Sequence, residues 1–274
     1  MKNLSNFPPV YYVNLDFRTD RKNSIEKTFQ DYSISNYTRI SASNYLGSEQ
    51  EKWEHLVLDK KVKCGASDVG CTLSHLEAIE TWLNTSNTET AIIMEDDCDI
   101  TISDDWKFDW NTLMDNLPFN WDCIQLCMNH HLVMPFYIHP IMRDSGSASC
   151  YLINRTYAEK VLRLHKFPEG YKLVNHIGDY KYKEISSHID YLIFETGKTY
   201  SFPVFTVNTE FHSNQRTTKL HSRDQPCRDS VINFWKNESS SFDLNDFFCY
   251  NKPNDHLMVR KIELNKTKLT FNYN

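Results

Sequence analysis

The chain has 274 residues, 40% of them hydrophobic, with 36 acidic against 30 basic side chains and a formal net charge of −6. This length and apolar content predict a soluble protein with one sizeable core. The mild negative charge excludes general binding to nucleic acid or to an anionic membrane. Small phosphorylated ligands are compatible with it, because they need only a local cluster of Lys or Arg or a bridging metal.

The first predicted elements alternate between strand and helix. Residues 10–15 mix β-branched, aromatic and aliphatic side chains, which predicts a strand. A helix should follow, because Thr19 or Asp20 is a suitable cap and apolar residues then recur at helical spacing. A second strand is predicted at residues 37–40 and a second helix at residues 49–58.

The strongest helical periodicity lies in residues 67–83, with Ser67 or Asp68 as the predicted cap. This helix leads into the apolar run Ala91-Ile92-Ile93-Met94, which predicts a buried strand. The remaining predicted elements are strands at residues 123–126, 148–153 and 202–207 and a helix at residues 156–164. Such alternation of strands and helices predicts an α/β sheet.

Beyond about residue 210 the pattern loosens into polar sequence rich in Asn and Ser, with a last predicted strand at residues 268–272. Neither an internal repeat nor a low-complexity linker divides the chain. We therefore predict one main domain over residues 1–210 and a less regular carboxyl-terminal extension over residues 211–274 that packs on it.

Residues 1–9 lack a signal-peptide pattern, and the sequence contains no apolar run of membrane-spanning length, so a cytoplasmic location is predicted. The eight cysteines show no paired CxxC spacing and are predicted to be buried free thiols in a reducing compartment. The abundance of Asn, Lys, Ile and Tyr is typical of an AT-rich coding genome, bacterial or viral.

Three consecutive carboxylates, Glu95, Asp96 and Asp97, end the predicted buried strand. Unpaired buried carboxylates are costly, and open α/β sheets bind ligands at the carboxyl ends of their strands, so a cation is expected there. Mg²⁺ and Mn²⁺ prefer such oxygen ligands and share them with substrate phosphates. The alternative is that these acids are ordinary loop residues that cap a following helix.

Two further motifs accompany the acidic run: Val13-Asn14-Leu15-Asp16, with Arg18 and Arg21 behind it, and Gly70-Cys71-Thr72-Leu73-Ser74-His75. In order and spacing the three motifs resemble glycosyltransferase family 25, which includes bacterial lipopolysaccharide galactosyltransferases and collagen hydroxylysine galactosyltransferases. The resemblance extends to Ala42 and Asn44, to the run 146–153 followed by Ala158, and to Asp190.

The resemblance implies a GT-A-like, Rossmann-like mixed sheet flanked by helices, a UDP-linked sugar donor, dependence on Mn²⁺ or Mg²⁺, and transfer with inversion at the anomeric carbon. The acidic run then takes the place of a DxD motif. Asp97 is the best predicted metal ligand, with Glu95 as a second, and Glu95 or Asp96 contacts ribose or a metal-bound water. His212 is the candidate for a further ligand, with His221 as its competitor.

The motif around the first strand is predicted to bind the nucleotide. Asn14 and Asp16 would hold the uracil or ribose edge, and Arg18 and Arg21 would offer forked donors to phosphate or carboxylate. The alternative for both arginines is solvation at the start of a helix.

Ser74 and His75 are predicted to lie in the donor site or to support it, although a lone histidine is more often a core residue that holds its helix against the sheet. Inverting transfer also needs a base that removes the proton of the acceptor hydroxyl. Asp190 is the candidate, by its match to the family's late Asp, and Asp179 is the reserve.

The function predicted from these motifs is a metal-dependent inverting glycosyltransferase. It would move a hexose (galactose, glucose or an N-acetylhexosamine) from a UDP-hexose donor to a hydroxyl of a glycan or a hydroxylated protein acceptor. The runner-up is a non-catalytic nucleotide-sugar or glycan-binding module with the same fold. A glycoside hydrolase is disfavoured, since adjacent acids at one strand end suit metal coordination better than the two sides of a sugar ring.

Overall fold

A mixed sheet of eight strands organises the part of the chain that the computed structural model describes, namely residues 3–45, 51–58, 65–129, 133–142, 145–173, 188–209, 221–248 and 258–261. The strands are β1 (Val10–Asn14), β2 (Tyr37–Ser41), β3 (Thr90–Glu95), β4 (Cys98–Asp99), β5 (Cys123–Cys127), β6 (Val133–Pro135), β7 (His139–Pro140), β8 (Cys150–Asn154), β9 (Lys166–Phe167), β10 (Gly170–Tyr171), β11 (Thr199–Val207) and β12 (Val259–Lys261).

The helices are α1 (Thr19–Asp31), α2 (Glu51–Glu54), α3 (Ala66–Thr85), α4 (Trp110–Asp115), α5 (Arg155–His165), α6 (Ile189–Phe194), α7 (His221–Asn233) and α8 (Leu244–Phe248). A π-helical segment, Phe234–Glu238, continues α7, and short 3-10 turns lie at Thr101–Asp105 and Ser239–Ser241. Among the described residues, none of the helices combines the length and the apolarity needed to cross a bilayer.

The strand order in the main sheet is β2-β1-β3-β8-β5-β11-β4, and β7 also pairs with β11. Strand β1 runs parallel to both β2 and β3, and β5 runs parallel to β11, whereas β8 is antiparallel to β3 and β5. The predicted α/β class, with a mixed sheet flanked by helices, is confirmed. The carboxyl ends of β2, β1 and β3 meet at one edge, with Val13 opposite Glu95 and Asn14 opposite Ser41.

Strand β1 is buried along its whole length because helices cover both faces of the sheet. Val10 and Tyr12 belong to the core that also contains residues of α1, whereas Tyr11 and Val13 belong to the core that contains residues of α3, α5 and α6. This two-sided burial fixes the position of the strand ends at the edge described above.

Two predicted helix caps are wrong. Arg18, not Thr19 or Asp20, precedes α1, and it makes no side-chain capping bond. Helix α3 begins after Gly65, and the carboxylate of Asp68 reaches back to accept the Gly65 N–H at 3.1 Å. Asp68 thus stabilises the helix start from within the first turn.

The second predicted helix is much shorter than expected. It ends at Glu54, because the chain then pairs with the segment around β10: Leu58 donates its N–H to the Tyr171 carbonyl at 2.8 Å, and Tyr171 donates to the Leu56 carbonyl at 2.7 Å. The predicted strand at residues 268–272 lies outside the described residues.

Residues 221–248 pack into the same core as the sheet. The Trp235 indole N–H donates to the Pro203 carbonyl at 2.9 Å, and the Phe234 ring stacks on the Phe136 ring with centroids 4.0 Å apart. The division of the chain at residue 210 stays a prediction.

The cysteines within the described residues are free thiols, as predicted, and all of them except Cys71 are buried. Cys64 and Cys249 lie outside the described residues.

Gly70 lets α3 approach the loop that follows β2. A Cβ atom added at Gly70 would lie 2.5 Å from the Ser43 carbonyl oxygen, which is backbone and has little room to move. We expect Gly70→Ala to lower the free energy of unfolding by about 1–2 kcal/mol, since the overpacking penalty exceeds the gain in helix propensity. Urea unfolding followed by circular dichroism measures this change.

Gly146→Ala is the matched control, because a Cβ there would lie at an ordinary van der Waals distance from its neighbours, the nearest 3.6 Å away. Its effect should stay within about 0.5 kcal/mol. Equal stability of the two variants would contradict the close contact at Gly70.

Candidate active site

An open cleft of about 630 Å³ lies at the carboxyl edge of β2, β1 and β3. Its lining combines the end of β1, the loop 42–45 after β2, the first half of α3, and the acidic run after β3. All three motifs singled out in the sequence therefore contribute to one cleft. Of the predicted site residues, the lining contains Asn14, Arg21, Ser74, His75, Glu95, Asp96 and Asp97.

Asp96 is the buried member of the acidic run. Its Oδ2 accepts a hydrogen bond from the Asn14 side chain at 2.7 Å, and its Oδ1 accepts one from Arg21 at 2.8 Å. Burial raises the pKa of Asp96 above its ordinary value, while the charge of Arg21 and the bond from Asn14 oppose that rise. Both Asp96 oxygens are thus engaged within the protein, and the carboxylate ties β3 to β1 and α1.

Arg21 is the internal counter-ion of the acidic run. Its side chain is only 8% exposed, and its Nη1 lies 2.8 Å from Asp96 and 3.2 Å from Asp97. Phosphate or carboxylate was the predicted partner of the Arg21 guanidinium, and in the structure its partners are carboxylates of the protein itself. The main-chain carbonyl of Asp97 also accepts the Asn208 N–H at 2.6 Å, which anchors the end of the run next to β11.

Glu95 points the other way, toward α3. Its Oε1 lies 3.5 Å from His75 Nε2 and 3.8 Å from Cys71 Sγ. His75 is fully buried, and its Nδ1 lies 3.2 Å from the Tyr151 hydroxyl. Burial and then the negative charge of Glu95 raise the pKa of the Cys71 thiol well above its ordinary value.

The donor set on this side of the cleft fits a divalent ion. Among the described residues, Cys71, His75 and Glu95 bring one potential ligand atom each within 4.8 Å of one another. Asp97, the best metal ligand predicted from the sequence, has one oxygen engaged with Arg21. Its role as a ligand stays a prediction.

Asp190 lies at the first turn of α6 and is not part of the cleft lining. It is close enough for its charge to raise the pKa of Cys71. Burial raises the pKa of Asp190 itself, the Ser147 N–H that bonds to its Oδ2 at 3.3 Å opposes the rise, and the charge of Glu95 adds to it. A carboxyl group in this setting takes up a proton more readily than an exposed one.

The loop that positions Asp190 depends on residues that the sequence did not reveal. Ser147 has a positive φ of 88°, which is uncommon for a residue other than glycine. The buried Gln125 amide donates to the carbonyls of Gly146 and Ser147 at 2.7 and 3.1 Å, and Ser201 donates to Gln125 at 2.6 Å. Only the polar Gln125 within an otherwise apolar strand was a signal for this network.

Ser74 joins α3 to the loop after β2. Its hydroxyl donates to the Gly70 carbonyl at 2.6 Å and accepts the Ser43 N–H at 2.9 Å. Because that loop lines the cleft, Ser74 shapes the site by holding its wall in place. The predicted direct contact of Ser74 with the donor stays a prediction.

Asp16 and Arg18 are not part of the cleft lining. Hydrogen bonds from Arg39 and Ser41 hold the pKa of the exposed Asp16 below its ordinary value, and Arg18 pairs with Asp20 at 2.7 Å. Arg39, which the sequence analysis missed, also donates to the Asn14 side-chain oxygen at 2.9 Å.

His212 and Asp179 lie outside the described residues, as does the side chain of His221. Their predicted roles therefore stay predictions.

The fold and the cleft define an α/β protein with a polar site at the carboxyl ends of its parallel strands. Residues 7–172 match the family model of glycosyltransferase family 25 (LPS biosynthesis protein). The match spans more than half of the chain, and the chain belongs to this family. Family membership supports glycosyltransferase activity, with a sugar donor and an acceptor.

Two solved structures are distantly similar to this chain. A197 from STIV has a TM-score of 0.37 and 12% identity over 73% of this chain and 84% of its own. The inositol-1-phosphate CTP transferase from T. maritima has a TM-score of 0.35 and 9% identity over 82% of this chain and 96% of its own. No curated protein matches the chain significantly.

Removal of the Arg21 charge should destabilise the protein strongly, because it leaves the buried Asp96 carboxylate without its cation. We expect Arg21→Met to lower the free energy of unfolding by about 3–5 kcal/mol at neutral pH, and the double variant with Asp96→Asn to recover part of that loss. Urea unfolding of the wild type, both single variants and the double variant gives the coupling between the two residues.

Arg18→Met is the control, since Arg18 pairs with a half-exposed carboxylate. Its loss should stay below about 1 kcal/mol. Equal losses for the two arginine variants, or no recovery in the double variant, would show that Arg21 is not the counter-ion of the acidic run.

Proposed function

We propose that the protein transfers a hexose from a UDP-sugar to a hydroxyl of a glycan or protein acceptor, with inversion at the anomeric carbon. One observation carries the proposal: three motifs far apart in sequence line a single cleft at the carboxyl edge of the parallel strands. Family membership supplies the reaction class, a glycosyl transfer.

The charge of the cleft supports dependence on a divalent cation. The buried guanidinium of Arg21 pairs with Asp96 and Asp97, whereas Glu95 faces α3, so the three carboxylates of the acidic run retain net negative charge when they are ionised. A diphosphate would be repelled by this charge at short range. When bound, Mn²⁺ or Mg²⁺ would neutralise the charge that develops on the leaving diphosphate.

Within this cleft the protein residues hold and orient the donor. The side chain of Asn14 is fixed by Arg39 and Asp96, so the end of β1 presents an ordered polar edge to the nucleoside. The loop 42–45, held by Ser74, forms the facing wall. Asp97 and Glu95 flank the predicted position of the diphosphate.

Asp190 is the proposed base. It lies near Cys71 and Glu95 without lining the cleft, as suits a group that serves the acceptor while the donor occupies the cleft. Its Ser147 hydrogen bond orients the carboxylate. Its raised pKa makes the ionised form a stronger base, which then takes the proton of the attacking hydroxyl.

Calorimetric titration with UDP tests donor binding. We expect UDP to bind in the presence of Mn²⁺ or Mg²⁺ and much more weakly after chelation, because the acidic run then repels the diphosphate. Glu95→Gln should reduce the dependence on the ion, and Asp115→Asn, an exposed carboxylate on α4, is the matched control. Absence of UDP binding with the ion present would overturn the proposal.

The pH dependence of turnover tests Asp190. A base must be ionised, so the rate should fall as the pH is lowered through the pKa of Asp190, and burial places that fall above the ordinary range of an aspartate. Asp190→Asn should lower kcat by about 10²–10⁴-fold and abolish this acid limb, while UDP binding persists.

Release of UDP from a panel of UDP-hexoses, with water as acceptor, measures both the decrease in kcat and the loss of the acid limb in Asp190→Asn. Asp115→Asn should keep the wild-type profile. A binding module without catalysis would release no sugar from any donor. Unchanged kcat in Asp190→Asn would assign the base elsewhere.

A further inference from the structure

Three side chains from two elements converge at the α3 side of the cleft. Cys71 and His75 lie one helical turn apart on α3, so they face the same way, and Glu95 comes from the end of β3. The Glu95 Oε1 lies 3.5 Å from His75 Nε2 and 3.8 Å from Cys71 Sγ. Ligand atoms around a tetrahedral zinc ion, with bonds of about 2.0–2.3 Å, are about 3.3–3.8 Å apart. The two separations from Glu95 Oε1 therefore match those of a zinc site, and all three ligand atoms lie within 4.8 Å of one another.

The imidazole of His75 is oriented as a metal ligand would be. The ring is fully buried, stacks on Tyr151, and has its Nδ1 3.2 Å from the Tyr151 hydroxyl. In the tautomer that donates from Nδ1, Nε2 carries the lone pair, and within the described residues this nitrogen has no hydrogen-bond partner. An unsatisfied buried nitrogen is costly, and a metal-binding histidine almost always donates its other ring N–H to an oxygen acceptor, the position that the Tyr151 hydroxyl takes here.

The site is open on the side of the cleft. Glu95 is 31% exposed, and Cys71, His75 and Glu95 all contribute to the cleft lining. Three protein ligands with one open position are typical of zinc sites that bind a substrate or water. The open position would face the space proposed for the diphosphate.

We propose that Cys71, His75 and Glu95 bind a thiophilic divalent ion of the zinc type at the base of this cleft. Thiolate and imidazole ligands favour zinc, whereas a set of oxygen ligands alone would favour magnesium or manganese. The role of the ion toward a diphosphate rests on the proposed function. Binding of the ion by Cys71, His75 and Glu95 is independent of the proposed function.

Cobalt spectroscopy of the full chain, stripped of metal and free of donor and acceptor, tests the site. Titration with Co²⁺ should produce a thiolate-to-cobalt charge-transfer band, together with the visible bands of four-coordinate cobalt, at one ion per chain. Zn²⁺ should displace the cobalt and remove the bands. Absence of the charge-transfer band would overturn the proposal.

Three variants make the assignment specific. Cys71→Ala should abolish the charge-transfer band, while Cys227→Ala, a buried thiol on α7, should leave it intact. Tyr151→Phe should keep the band but weaken Co²⁺ binding by about 10–100-fold, because His75 loses its support. Circular dichroism verifies the fold of each variant. A band that survives Cys71→Ala in a folded protein would also overturn the site.

These results are separable from the test of the proposed function. UDP binding that needs Mn²⁺, in a protein that gives no cobalt spectrum, would overturn the zinc-type site and leave the transferase proposal standing. A cobalt spectrum in a protein that does not bind UDP would support the site and overturn the proposed donor.

Discussion

The buried ion pair of Arg21 with Asp96 and Asp97 is the constraint on which the cleft depends. It places a guanidinium from α1 against carboxylates that follow β3, and Asn14 adds a bond from β1 to the same group. A buried charge without its partner is strongly unfavourable, so β1 and β3 must end, and α1 must begin, at one place. The strand ends that line the cleft are thereby fixed by electrostatics as well as by the apolar core.

The same pair divides the acidic run into two functional parts. Both oxygens of Asp96 accept hydrogen bonds within the protein, whereas Glu95 faces α3. The two potential metal ligands on that helix are Cys71 and His75. Successive residues at a strand end point to opposite faces, which separates the structural carboxylate from the exposed one. Asp97 lies between these roles, since Arg21 takes one of its oxygens.

The sequence predicted the elements better than the roles of individual side chains. Strands β1 and β3 are buried on both faces, so their sequences are apolar runs that predicted strands. Helical periodicity located α1, α3 and α5. The resemblance to glycosyltransferase family 25 implied that the three motifs contribute to one donor site, and all three line one cleft. Contacts between distant residues leave no local pattern, so the pairing of Arg21 with Asp96, the bond from Ser147 to Asp190 and the end of α2 at Glu54 were not foreseeable.

The positive φ of Ser147 restricts which residues this position can accept. A residue other than glycine in the left-handed region costs of order 1–3 kcal/mol, and here Gln125 and Asp190 maintain the arrangement. Replacement by glycine would relieve that cost, but it would also remove the buried Ser147 hydroxyl that bonds to Ser149 Oγ at 3.0 Å and loosen the N–H that bonds to the Asp190 carboxylate. A change to glycine therefore exchanges backbone strain for lost hydrogen bonds, and the loop cannot be relaxed at this position without weakening its contacts to Ser149 and Asp190.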